Sequence, residues 1–271
     1  MSISRIKITG KQMLMGDGVR AAILMCVTFA LAAALGLITA GVNFIIGSQS
    51  VTGRLSSVYE NLPGIVRIAA CVLLLIVTAL VIFPLKVGRS AWFLSPALGI
   101  KRHYSRIMYW LKPSKALRSA GYVAALGCIK AFWALIFLSP GLFLFGGTVY
   151  SAVTQKYELN LLIAVCGGSF ALLLVGIGFF SVMLQRYFLV IPILVKDPGI
   201  SFAKAVRLSG DLMNGNCLRT AKMKWSFFFW FLSCLLILPA IYVIPYYRQT
   251  CACCQADLMP EIKTRKAADP A

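Results

Sequence analysis

Residues 160–185 read NLLIAVCGGSFALLLVGIGFFSVMLQ, without a single charged side chain. About 20 apolar residues carry a helix across roughly 30 Å of hydrocarbon, so this run predicts a membrane-spanning helix. Three more stretches of the same character lie upstream, over about 21–46, 65–85 and 120–150. Downstream, an apolar region from about 219 to 258 is interrupted by Pro239 and Pro245. A break at Leu238-Pro239 predicts two short spans, about 220–238 and 240–258; the alternative is one fifth span running through to Tyr246. The composition agrees, because 60% apolar and 13% charged residues leave too little polar surface to cover a water-soluble globule of 271 residues.

Charge placement sets the expected orientation, since Lys and Arg near span ends are retained on the cytoplasmic side. The N-terminal segment, residues 1–20, has Arg5, Lys7, Lys11 and Arg20. The second connection has eight basic residues from Lys86 to Arg118 and no acid, and the fourth has seven from Arg186 to Lys224. By contrast, the first connection has Arg54 and Glu60 with Arg67 at its flank, and the third has Lys156 and Glu158. Both termini are therefore expected on the cytoplasmic side of a bacterial plasma membrane, with 259–271 as a weakly basic tail. Six spans suit that tail better than five, although Arg248 would have to snorkel to the interface. The first apolar run is about twice the length of a signal-peptide core and has no clear cleavage site, which marks it as a retained span.

The two basic connections each carry an amphipathic pattern. Over 97–111, Ile100, Tyr104, Ile107, Met108 and Leu111 share one helical face, and Lys101, Arg102, Arg106 and Lys112 fill the rest. Lys112-Pro113 ends this segment, and Ser114 is a candidate N-cap for the third span. Over 201–213, Phe202, Ala205, Val206, Ser209, Leu212 and Met213 share a face. Asp197-Pro198-Gly199 precedes it, Ser201 is its candidate N-cap, Asn214-Gly215 its stop, and Arg207 with Asp211 a candidate i,i+4 pair. Both patterns suit helices lying in the interface, with Lys101, Arg102, Arg106, Lys204 and Arg207 as candidate contacts to anionic lipid or a protein partner. The expected architecture is an all-α bundle of six spans, with five as the alternative, forming one transmembrane domain over 21–258. Small residues at Ala32, Gly36 and Ala40 and at Gly168, Gly176 and Gly178 predict close packing of its helices.

From Tyr187 the chain runs Tyr187-Phe188-Leu189, Lys196-Asp197-Pro198, Ala205 to Ser209, Leu212-Met213, Gly215, an aromatic run from Trp225 to Trp230, and Pro245-Tyr246 leading to Thr250. This order resembles an uncharacterised bacterial integral-membrane family, one of the domains of unknown function. It is loosely similar to the membrane domain fused to some glycerophosphodiester phosphodiesterases. The likeness covers about the last 75 residues. It implies a six-helix bundle with Asp197, Pro198, Ser209, Gly215, Pro245 and Tyr246 as structural motif positions, and it brings no activity.

Chemistry-bearing groups are sparse. His103 is the one histidine, so neither a zinc-protease His pair nor a hydrolase triad with a neighbouring nucleophile and acid is expected. There is no phosphate-cradling loop, and no cofactor or metal is expected. Lys130 is the one candidate intramembrane cation. A crossing over 120–138 places it near the midplane, and a crossing over 131–150 with a kink at Pro140-Gly141 places it at the cytoplasmic edge. Five of the nine cysteines, Cys26, Cys71, Cys128, Cys166 and Cys234, lie inside apolar runs as small hydrophobes. Cys251, Cys253 and Cys254 are read as packing residues, with soft-metal binding or palmitate as the alternative.

These features favour a non-enzymatic scaffold or envelope component that engages anionic lipid or a protein partner, and they give no support for nucleic acid. A transporter or channel-like subunit for a small or lipidic solute is the alternative, because breaks at Pro84, Pro140-Gly141, Pro192 and Pro245 free backbone groups to line a cavity. A lipid-modifying enzyme would require Asp197, Asp211 and Lys130 to converge.

Overall fold

Three of the four long apolar runs form helices that extend past the stretches read from hydropathy at both ends, and the fourth ends at Met183. The computed structural model describes residues 2–47, 64–154, 159–234 and 238–259, and among these it contains helices and turns but no strand. In chain order the helices are α1 (Ile3–Met15), α2 (Gly18–Gly47), α3 (Gly64–Ala97), α4 (Ser105–Leu111), α5 (Pro113–Thr154) and α6 (Leu159–Met183). A 3-10 turn (Leu184–Tyr187) leads to α7 (Val190–Lys196), α8 (Phe202–Met213), α9 (Cys217–Trp225), α10 (Phe228–Ser233) and α11 (Leu238–Leu258). Four stretches are long and apolar enough to cross a membrane: Gly18–Ile38, Ile76–Ala97, Pro113–Tyr150 and Ile163–Lys196. They present large apolar side chains outward, including Phe29, Leu37, Phe143, Phe170 and Phe179. Such a surface is at rest in lipid and costly in water.

Two places depart from the expected elements. The second span was expected to end near 85 and an interfacial helix to begin near 97. Instead α3 runs through Pro84 to Ala97, and the helix in the basic connection starts only at Ser105. Gly99 sits at φ 73° and closes α3. The Ile100 amide donates to the Ser95 carbonyl at 2.9 Å and the Gly99 amide to the Pro96 carbonyl at 3.0 Å, which is the paired closure that a left-handed residue permits. The expected fifth span, 220–238, is not one helix either. α9 stops at Trp225 and α10 begins at Phe228. α11 is described from Leu238 to Leu258, and the residues on which the expected break depends, 235–237, lie outside the described residues. Ser114 lies inside α5, whose first residue is Pro113; proline suits a first turn because its missing N–H would have no helical partner there.

Contacts divide the chain into two compact units. The first comprises Met1–Gly121 with Phe229–Cys253, and the second Tyr122–Phe228 with Cys254–Ala271. In the first, α1 buries Ile6, Gly10 and Leu14. A β-carbon on Gly10 would stand 3.1 Å from the Thr250 Cα, so glycine lets α1 and α11 touch backbone to backbone. Gly88 of α3 approaches the Ile107 Cα of α4 in the same way, at 3.0 Å. In the second unit, Gly141 of α5 meets Leu173 of α6 at 2.9 Å, and Gly176 faces the Phe137 carbonyl. Of the glycines expected to mediate packing, Gly36, Gly168 and Gly178 meet nothing within 4 Å, so Gly176 alone of that set serves as a contact.

Candidate functional site

In the first unit the basic connection leaves α3 at Gly99 and passes Arg102 inward. Its side chain is 5% exposed, because the chain between Ala97 and Ser105 is not helical and turns Arg102 away from the surface. Nη1 donates to Asp17 Oδ2 at 3.0 Å and Nη2 to Gln249 Oε1 at 2.8 Å. The guanidinium lies 4.7 Å from the centre of the Trp92 ring, a cation held over an aromatic face. Its Nε is buried with no acceptor among the described residues. Burial pulls Arg102 below the ordinary arginine range, and the Asp17 charge and hydrogen bond oppose that pull. Gln249 is fully buried and also directs Nε2 at Met13 Sδ and Cys253 Sγ, both at 3.7 Å.

Arg102 is therefore not a surface contact, contrary to the expectation from periodicity. Arg106 is half-buried and donates to Ser95 Oγ at 3.1 Å. Lys101 is exposed. The apolar face expected for 97–111 is also redistributed: Ile107 and Trp110 are buried, whereas Ile100, Tyr104 and Met108 are exposed. Residues 98–104 are not helical, so a face counted through them at helical spacing is not continuous. His103 has a local role, with Nδ1 accepting from the Ser105 amide at 3.2 Å beside the Ser105 hydroxyl at 2.7 Å.

In the second unit the α8 connection keeps the expected face. Ala205, Ser209 and Met213 are buried, while Lys204, Arg207 and Asp211 are exposed. The buried stripe is covered by α7 and the 3-10 turn of this same chain. Ser209 explains why: its hydroxyl donates to the Arg186 carbonyl at 2.6 Å and accepts from the Leu189 amide at 3.3 Å, tying α8 to backbone left open after α6. Asp197 turns its carboxylate to the Gly199 amide at 3.2 Å. Ser201 stands at the N-cap position with extended backbone, but its side chain makes no capping bond. Gly215, at φ 76°, follows the Asn214 cap. Arg207 and Asp211 form no ion pair, unlike the expectation; Arg219 and Asp257 do, at 3.4 Å.

Lys130 is half-buried in α5, which runs unbroken through both proposed crossings. Asp211 makes no side-chain hydrogen bond or ion pair, so Asp197, Asp211 and Lys130 are not assembled into one bonded site. Cys251, Cys253 and Cys254 are buried, as packing residues would be, and no cluster of three or more His, Cys, Asp or Glu placed to hold a metal occurs among the described residues. Of the motif positions, Tyr246 donates to the Lys7 carbonyl at 3.5 Å and stacks on Tyr242, and Pro245 lies inside α11.

No family model, curated protein or solved structure matches this chain. Periodicity missed Asp17, Trp92, Gln249 and Arg89, the last donating to Thr28 Oγ1 at 3.2 Å. One signal was available: Asp17 is the one carboxylate before Glu60 in a basic stretch, and a lone acid among cations is a natural ion-pair partner.

Proposed function

We propose that this chain is a non-enzymatic multi-pass membrane component, with its termini and both basic connections on the cytoplasmic side, that holds anionic lipid headgroups. The imbalance of charge within the described residues supports this reading. They include four carboxylates. Asp17 is bound to Arg102 and Arg20, Asp257 to Arg219, and Asp197 closes its own turn. Arg5, Lys11, Lys101 and Lys112 in the first unit, and Lys204, Arg207 and Lys222 in the second, are exposed without a bonded protein acid. Cations left unneutralised beside apolar, lipid-exposed helices attract anionic headgroups by about 1 kcal/mol each near the membrane surface. The orientation follows from the same cations and holds for any even number of crossings.

The test is lipid selectivity in mixed discs of phosphatidylcholine and phosphatidylglycerol, read as the headgroup ratio retained on gentle extraction. Wild-type protein is expected to enrich the anionic lipid. The combined variant Lys101→Glu, Lys112→Glu, Lys204→Glu and Arg207→Glu is expected to lose at least tenfold in that preference. An unchanged ratio overturns the proposal.

A further inference from the structure

Two arginines of the first unit have no acid. Arg89 of α3 lies inside the apolar stretch Ile76–Ala97, eight residues and about 12 Å short of its end. It is half-buried, and its Nη1 donates to Thr28 Oγ1 at 3.2 Å and to Met25 Sδ at 3.8 Å. Both partners are buried on α2, and both are neutral. Arg248 of α11 is exposed and stands close enough to Arg89 for the two like charges to repel. Asp17 is the one carboxylate among the described residues of this unit, and Arg102 and Arg20 hold it. Arg102 thus has its counter-charge, whereas neither Arg89 nor Arg248 forms an ion pair with a described residue.

A cation inside an apolar stretch is costly unless something negative meets it, and a second cation beside it adds to the cost. A phosphate group offsets both. Its oxygens match the planar guanidinium fork, and Arg89 keeps Nε and Nη2 for them, since neither bonds a described residue and neither is sealed from the surface. Asp17 precedes α2, Arg102 follows α3 and Gln249 follows Arg248 in α11; these three are bonded together and mark the polar end of the unit. Away from that end, on the face of α11 that carries Arg248, stand Ile244 and Ile241, exposed apolar side chains at four- and three-residue spacing. We propose that Arg89 and Arg248 together hold the phosphodiester of one anionic phospholipid, whose acyl chains lie along Ile244 and Ile241. The class of ligand rests on the lipid-holding role proposed above, but the site uses none of the exposed cations invoked there. The long arginine side chains let the phosphate stay near the headgroup layer while the acyl chains remain in hydrocarbon.

Native mass spectrometry of the full chain released from detergent measures the site, with phosphatidylglycerol, phosphatidylcholine or inorganic phosphate added at equal concentration. Wild-type protein is expected to retain a single phosphatidylglycerol at collision energies that strip further copies. Arg248→Gln, at an exposed position, is expected to weaken that retention by about tenfold, the loss of one charge-assisted contact. Arg89→Gln is expected to do the same, and Arg248→Gln decides if Arg89→Gln fails to fold. Equal retention by Arg248→Gln and wild type overturns the proposal, as does equal retention of phosphatidylcholine. Displacement of phosphatidylglycerol by inorganic phosphate overturns it in favour of a free anion. The combined variant Lys101→Glu, Lys112→Glu, Lys204→Glu and Arg207→Glu separates this site from the lipid-selectivity experiment, because it is expected to lose bulk enrichment and keep the single tight lipid. Loss of the tight lipid in that variant counts as refutation of the site.

Discussion

The two basic connections look alike in sequence and are built differently. Both carry cations at helical spacing, and each includes a glycine at positive φ, Gly99 in one and Gly215 in the other. In the 98–112 connection the buried group is a cation, Arg102, held by Asp17, Gln249 and Trp92. In the 197–216 connection the buried group is a neutral hydroxyl, Ser209, bonded to main chain, and every cation of α8 remains outside. Charge pattern alone thus does not tell which connection offers its cations to lipid. The extent of the helix does: Lys101 and Arg102 lie in the non-helical segment 98–104, whereas Lys204 and Arg207 lie within the continuous helix α8.

The comparison is broken most severely at Arg102. Arg102→Ala strips a partner from Asp17 and from buried Gln249, and is expected to cost on the order of 3 kcal/mol, because removing one member of a buried pair strands the other. Thermal unfolding in detergent measures it, with Lys204→Ala expected to leave the midpoint unchanged; equal effects for the two would erase the distinction. Ser209→Ala comes next, at about 2 kcal/mol, since it leaves the buried Leu189 amide without an acceptor. The same melt checks it. Gly99→Ala and Gly215→Ala each place a β-carbon in a left-handed conformation and are expected to cost about 1 kcal/mol. In the first case the loss should be accompanied by faster proteolysis between α3 and α4, and in the second between α8 and α9. The smallest effect is chemical. Burial raises the Cys217 thiol above its ordinary pKa, with Arg186 opposing. A raised pKa leaves less thiolate near neutral pH, so alkylation of Cys217 should be slower than that of a free thiol at pH 8 and should still be climbing at pH 9.

The four helices long and apolar enough to cross a membrane were legible because runs such as 160–185 hold no charge, and apolar length requires nothing more specific. Helix ends were less legible. Pro84 reads as a terminator, yet α3 continues to Ala97, since a proline removes one hydrogen bond without preventing neighbouring turns from forming. The face of α8 was visible as Ala205, Ser209 and Met213 at four-residue spacing, but not the Arg186 and Leu189 backbone it serves, which is 20 or more residues away. Arg102 was misplaced because helical counting assumed one phase from 97 to 111. Its partners, Asp17 and Gln249, are separated from it by 85 and 147 positions, and no local pattern encodes pairings of that span.

The seat of α1 against α11 has a consequence for biosynthesis. Tyr246 and Lys7 are 239 positions apart, and Gly10 fits flush only against Thr250. During translation the Gly10 face of α1 therefore waits for Thr250, about 240 residues later, before this contact forms. A nascent chain truncated before Tyr246 would lack both the Tyr246–Lys7 hydrogen bond and the Gly10–Thr250 contact, so α1 is expected to be more open to proteases until α11 has emerged.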